Sequence, residues 1–268
     1  MELVFLFIGI VINLIILLEA EKMTKEVKEL FTRDDDLWYV KGAKKPFTGS
    51  HKLYHDNGLI ESEANYKDGK LDGRVTAWHE NRQKSFKANY KDGKEDGKMA
   101  FWYENGQKRQ EANSKDGEYE GIKTEWHENG QKWIEENYKD GRLDGKRSQW
   151  YENGQIESEA NYKAGKLDGK TTQWYDNGHK DLEAYFKDDK EDGIRVQWHE
   201  NGKIEAETNY NDGKLDGEAT QWYDNGQKWI EENYKDGKRD GKYTSWNENG
   251  QLEVEAYFED GECVGGDC

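Results

Sequence analysis

Tryptophan recurs as Trp78, Trp102, Trp126, Trp150, Trp174, Trp198, Trp222 and Trp246, a spacing of 24 residues held without a slip. A second aromatic keeps the same interval as Tyr66, Tyr90, Tyr138, Tyr162, Phe186, Tyr210, Tyr234 and Phe258, with Ser114 its one lapse. Asn-Gly pairs from Asn57-Gly58 to Asn249-Gly250 form a third series, broken only at Asn81-Arg82, and Asp-Gly pairs from Asp72-Gly73 begin a fourth. Four series in one phase leave few folds open. A period of this length marks stacked supersecondary units, none of which buries its apolar surface alone. A slower period lies above it: Asn129 to Asp140 returns letter for letter as Asn225 to Asp236, 96 residues on, so a block of four repeats stands copied once.

Each repeat reads as two short strands. In the first full one, Arg74 to His79 and Gln83 to Tyr90 flank Glu80-Asn81-Arg82, and Lys91 to Gly97 leads onward. Asn, Asp and Gly fill the turns because positive φ costs them least. Two alternating turns give an antiparallel meander. A three-residue Glu-Asn-Gly loop with a left-handed glycine sets Trp, the Thr two residues before it, and the Ala and Tyr of the second strand on one face. The expected fold is all-β: an elongated single-layer antiparallel β-meander of tandem 24-residue hairpin repeats, about eight to nine of them. With strands ~4.8 Å apart, eight repeats make a rod about 75 Å long and about 20 Å wide.

The aromatic face, Trp78 to Trp246 with Tyr138, Tyr162, Tyr210 and Tyr234, is the candidate partner-binding stripe; the alternative is that its rings stack on one another and on Lys stems. The opposite face is expected to carry an acidic row, Glu63, Glu111, Glu135, Glu159, Glu183, Glu207, Glu231 and Glu255, with Lys87 the exception. That row either steers a partner or keeps the face soluble.

Composition fits a thin structure with little interior. Hydrophobic residues are 33% and charged residues 36% of the chain, yet aromatics reach 13% and Pro46 is the single proline, which separates it from disordered sequences. The net charge of -17 repels phosphate backbones and anionic membrane surfaces, so nucleic acid is excluded and a basic protein is the natural complement. His79, His127 and His199 follow repeat tryptophans, but Tyr fills that slot at 103, 151, 175 and 223 and Asn at 247, which excludes proton transfer as its role. The Asp68 and Asp72 pairing in the connections matches no calcium loop. No catalytic motif, cofactor site or metal site is expected. Cys263 and Cys268 are the only cysteines, either a terminal disulfide of an exported chain or an incidental pair.

Residues 1–20 form the first segment, apolar from Leu3 to Leu18 except for Gly9 and Asn13. As a helix it is either a signal peptide or a minimal membrane anchor, since sixteen residues span roughly 24 Å of a ~30 Å hydrocarbon core. Lys22, Lys25, Lys28 and Arg33 follow it, which on an uncleaved anchor would hold the repeats in the cytoplasm. Membrane association is thus expected through residues 3–18 alone, or export if they are cleaved, with the side undecided. Residues 21–37 are the second segment, where Met23, Val27, Leu30 and Phe31 predict a short amphipathic cap helix before a linker. The array occupies residues 38–268.

The motif Y-K-D-G-R-L-D-G from Tyr138 to Gly145 and W-Y-E-N-G-Q from Trp150 to Gln155 resembles the variant membrane-occupation-and-recognition-nexus (MORN) repeat. The chain from Trp38, including its opening through Trp38-Tyr39-Val40-Lys41-Gly42 and Lys45-Pro46-Phe47-Thr48-Gly49, is similar to the YwqK-type antitoxin family. The resemblance implies an extended β-array that neutralises a toxin domain without catalysis of its own. A second expectation, from the apolar amino terminus, is a membrane-tethered or exported scaffold in adhesion or secretion.

Overall fold

The computed structural model describes residues 29–268, so the apolar segment and the cap-helix positions Met23 and Val27 lie outside the described residues. Leu30 and Phe31, expected on that helix, are instead in a strand, Leu30–Thr32, paired with Trp38–Val40. The cause is local. Asp36 takes a φ of 58° in the intervening turn, the Tyr39 hydroxyl donates to Asp35 at 2.7 Å, and the Arg33 guanidinium lies 3.8 Å from the Tyr39 ring centroid. A hairpin fastened at three points outcompetes one end of a short isolated helix. The segment then caps the first repeat: Trp38 N–H donates to the Gly69 carbonyl, Gly69 N–H donates to Phe47, and the Trp38 and Phe47 rings sit 6.1 and 5.7 Å from Tyr66.

Two compact units follow, one formed by the chain through Lys108 with Ser114–Glu118, the other by Arg109–Asn113 with Tyr119–Cys268. In the first, strands Gly49–Tyr54, Ile60–Lys67, Lys70–Trp78, Lys84–Lys91 and Gly97–Trp102 pair antiparallel in chain order. In the second, the same order runs from Gly121–Trp126 to Glu262–Gly266. Each is a β-meander, and no helix occurs among the described residues.

The turn chemistry matches the sequence. Tyr151 N–H donates to the Gln155 carbonyl and Gly154 N–H to Tyr151, both at 2.9 Å, which closes a three-residue Glu-Asn-Gly loop with Gly154 at φ 85°. The other connection is a two-residue loop: Lys163 pairs with Lys166, and Ala164 and Gly165 take φ 51° and 88°. Both central residues are left-handed, the geometry that Asp-Gly supplies in the other repeats apart from Asp188-Asp189, which takes φ 51° and 70°.

The faces do not match. Trp150 pairs with Ile156, but Gln149 pairs with Ser158, so Glu157 is an extra residue bulged out of the second strand. One inserted residue reverses the parity of everything beyond it. Ser148 therefore faces Glu159, and Arg147 faces Ala160. The same shift recurs in the equivalent Trp hairpins of both units, for instance Thr76 with Lys87 and Thr172 with Glu183. The repeat tryptophans consequently share a face with the acidic row, while the tyrosines lie on the opposite face with Ala and Leu. The single aromatic stripe and the separate acidic face expected above are both overturned.

Apart from Tyr39, Phe47 and Met99, the buried apolar residues are alanines. Ala88, Ala112, Ala184, Ala219 and Ala256 are the core of the Tyr face, and Thr76, Thr124, Ser148, Thr172, Thr220 and Thr244 lie beneath the Trp face. Ser114, the lapse in the Tyr series, is also buried, and its hydroxyl lies 3.7 Å from the sulfur of buried Met99.

Candidate interaction surface

On the Trp face, Trp78, Trp102, Trp126, Trp150, Trp174, Trp198, Trp222 and Trp246 are all half-buried. A single-layer sheet offers each ring a neighbouring strand but no covering layer. Lysines fill part of the gap. Lys132 Nζ lies 5.5 Å from the Trp150 centroid and 2.5 Å from Glu135, and Lys180 Nζ lies 5.2 Å from Trp198 and 2.6 Å from Glu183. Ring, ammonium and carboxylate form a recurring layer, with the cation held from both sides. Lys146 pairs with Glu159 at 2.6 Å, Lys170 with Glu183 at 2.9 Å, Lys228 with Glu231, and Lys242 with Glu255 at 2.8 Å. Burial raises the Glu183 carboxyl, but hydrogen bonds from Lys170 and Lys180 outweigh it and hold that group below the usual carboxylate range. Glu207 has no ion pair among the described residues, and Glu111 stands in register with Thr124. The row is largely neutralised in place.

On the Tyr face each ring is paired with a glycine. Tyr138, Tyr162, Tyr210 and Tyr234 stand in register with Gly121, Gly145, Gly193 and Gly217 of their own hairpins. Each of these glycines takes a positive φ, 79–122°, which other residues adopt only with strain, and a Cβ at Gly145, Gly193 or Gly217 would meet Asn137, Tyr185 or Asn209 rather than the paired ring. All four rings are half-buried. Around Glu136, which is 8% exposed, Lys123 and Arg147 approach to 3.2 and 3.1 Å, and the Tyr138 hydroxyl donates at 3.0 Å. Burial raises the Glu136 carboxyl, and Lys123 leads the contacts that bring it below its ordinary value.

The slot after each repeat Trp, and after Tyr54 in the first repeat, has a purpose that explains its tolerance. His55, His79, His127 and His199 donate from Nε2 to the carbonyls of Trp78, Trp102, Trp150 and Trp222, one repeat on, at 2.9–3.2 Å. A carbonyl only accepts, so Nε2 carries the proton. Tyr151, Tyr175 and Tyr223 send their hydroxyls to Trp174, Trp198 and Trp246 in the same way. Either ring reaches. Asn247 instead accepts the N–H groups of Asn249 and Gln251 in its own turn. The Asp72 carboxylate, considered above for calcium, accepts the N–H of Asp92 in the next connection. No cluster of metal-ligand side chains occurs among the described residues.

Two exposed rings escaped the periodic reading. Trp133 and Trp229 are 39% and 43% exposed, beside His127 at 5.8 Å and Tyr223 at 5.7 Å. Both occupy the bulge position of their hairpins, equivalent to Glu157, and both fall outside the tryptophan phase. Their separation of 96 residues, equal to the block copy, was the signal available.

No curated protein matches the sequence. Among solved structures, the chain is similar to one in a crystal structure of TcdB2-TccC3-Cdc42, at 12% identity and a TM-score of 0.20 over 78% of this chain. The match spans 14% of that chain, and a score this low carries no argument. Eight segments match the model of the MORN repeat variant: residues 47–68, 95–116, 119–140, 143–164, 167–188, 191–212, 215–236 and 239–260. Those segments make up well over half of the sequence, and the chain belongs to the MORN repeat variant family.

Proposed function

We propose that the array is a non-catalytic holder of a basic protein partner, and that the partner is a toxin domain which this chain neutralises. One observation carries the reading: among the described residues no large side chain is fully buried, and ring after ring returns half-covered at 24-residue intervals. Regularly spaced, partly exposed Trp and Tyr are the side chains that dominate protein interfaces. The net charge of -17 favours a basic partner over nucleic acid. The YwqK-type resemblance supplies the toxin.

Affinity capture with residues 38–268 as bait tests this. A toxin-like basic protein should be retained by the intact array and lost from Trp150→Thr/Trp174→Thr, provided circular dichroism shows the variant folded. Equal retention would reduce the Trp row to scaffolding. A second reading, a tethered or exported scaffold, is favoured by the Cys263–Cys268 disulfide, a bond that persists in oxidising compartments. No helix among the described residues is long and apolar enough to cross a membrane, and in this reading the tether is the apolar stretch of residues 3–18. Protease accessibility in spheroplasts against intact cells distinguishes the two.

A further inference from the structure

We infer that the turn edge of the sheet carries slots for cationic side chains, and that the slot walled by Trp229 receives a Lys or Arg from an extended basic segment of the partner. This rests on the proposed function and names the chemistry by which the partner is recognised. In the second unit an open cavity of about 430 Å³ is lined by Glu205, Asp224 and Glu248, one carboxylate from each of three successive repeats, with Trp222, Tyr223 and Trp229. None of these carboxylates has an ion pair among the described residues, in contrast to the lysine-paired row on the Trp face.

The cavity is a product of the repeat rather than a local accident. Six repeats earlier, inside the first unit, a cavity of about 480 Å³ is lined by Glu61, Glu80, Glu104, Trp78 and His79 at equivalent positions. Ser85 stands there where Trp229 stands in the second unit. Burial raises the Tyr223 hydroxyl above its ordinary value, and the negative charges of Glu253 and Glu248 add to the effect. A guanidinium or ammonium entering beside Trp229 meets a ring and carboxylates together, combining cation–π attraction with charge-assisted hydrogen bonds. Two strands per repeat place successive slots roughly 9–10 Å apart, which an extended chain covers in about three residues.

The probe is a fluorescein-labelled peptide with Arg at every third position and Gly and Ser between, titrated against the full chain by anisotropy at low salt. The Arg peptide should bind and its Gln counterpart should not. Trp229→Ala, and separately Glu205→Gln/Glu248→Gln, should weaken binding at least fivefold with the circular dichroism spectrum unchanged. Ser85→Trp should tighten it. Failure of the Arg peptide to bind, equal binding of the Gln peptide, or equal affinity in the slot variants would overturn the inference, the last meaning diffuse charge attraction only. A toxin captured equally by wild type and Trp229→Ala would sink the slot and leave the proposed function standing. Loss of peptide binding in Trp229→Ala with no toxin captured would do the reverse.

Discussion

Single residues show where the repeat is under strain. Arg82 holds φ 71° in a loop position that glycine fills in the other repeats. A left-handed non-glycine residue costs roughly 1–2 kcal/mol. Arg82→Gly should therefore raise the free energy of unfolding by about 1 kcal/mol, and a fall in the urea midpoint would mean that Arg82 makes a compensating contact. The ladder behind the tryptophans is testable at Tyr151, whose hydroxyl donates to the Trp174 carbonyl at 2.7 Å. Tyr151→Phe should cost about 1 kcal/mol, while Tyr151→His, the residue found at 127 and 199, should restore most of it. Tyr138 sets an alkaline limit. Burial first, then the charge of Glu136, pushes its hydroxyl up to about 12. The fold thus favours the neutral phenol, a contribution fully present below pH 10 and lost as pH rises towards 12. Denaturation across that window should show a steeper loss for wild type than for Tyr138→Phe.

At the scale of the hairpin, both turns were legible and the face assignment was not. Asn-Gly and Asp-Gly declare left-handed positions directly, because few other residues tolerate them. The bulge declares nothing. Its extra residue is Glu157 in one repeat and Ser85, Trp133 or Trp229 in others, with no glycine or proline to mark it. Side-chain alternation counts residues, so a single unmarked insertion exchanged the partners of Trp and Tyr and put the acidic row beneath the tryptophans. The candidate interaction surface was legible only in part for the same reason. Identical sequence also meets unequal surroundings. Glu136 and Glu232 are copies within an identical stretch, yet Glu136 has Lys123 and Arg147, whereas Glu232 has Arg239 alone, with Ala219 and Tyr243 at the equivalent places. Glu136→Ala should cost about 2 kcal/mol and Glu232→Ala less, judged by urea unfolding of each variant. Equal losses would show that Lys123 and Arg147 contribute nothing to the difference.

For the molecule as a whole, the seam between repeats matters more than any repeat. The His or Tyr ring after a repeat Trp finds the next Trp carbonyl, and several turn asparagines find the next turn: Asn129 Nδ2 donates to Glu152, Asn177 to Glu200 and Asn225 to Glu248. On the other edge, Gly165 N–H donates to Leu143 and Gly237 N–H to Leu215. Deleting residues 143–238 removes 96 positions and joins Arg142 to Arg239 with every series still in phase. That shortened chain should fold, with β-sheet circular dichroism per residue unchanged. A deletion twelve residues shorter should not, because it would set a Trp strand where a Tyr strand belongs. Since these backbone contacts across the seam recur from repeat to repeat, adding or dropping whole repeats preserves them even where side-chain neighbours change. Length in such an array is free to drift, and under the proposed function the number of repeats, rather than redesigned contacts, sets how much of a partner is grasped.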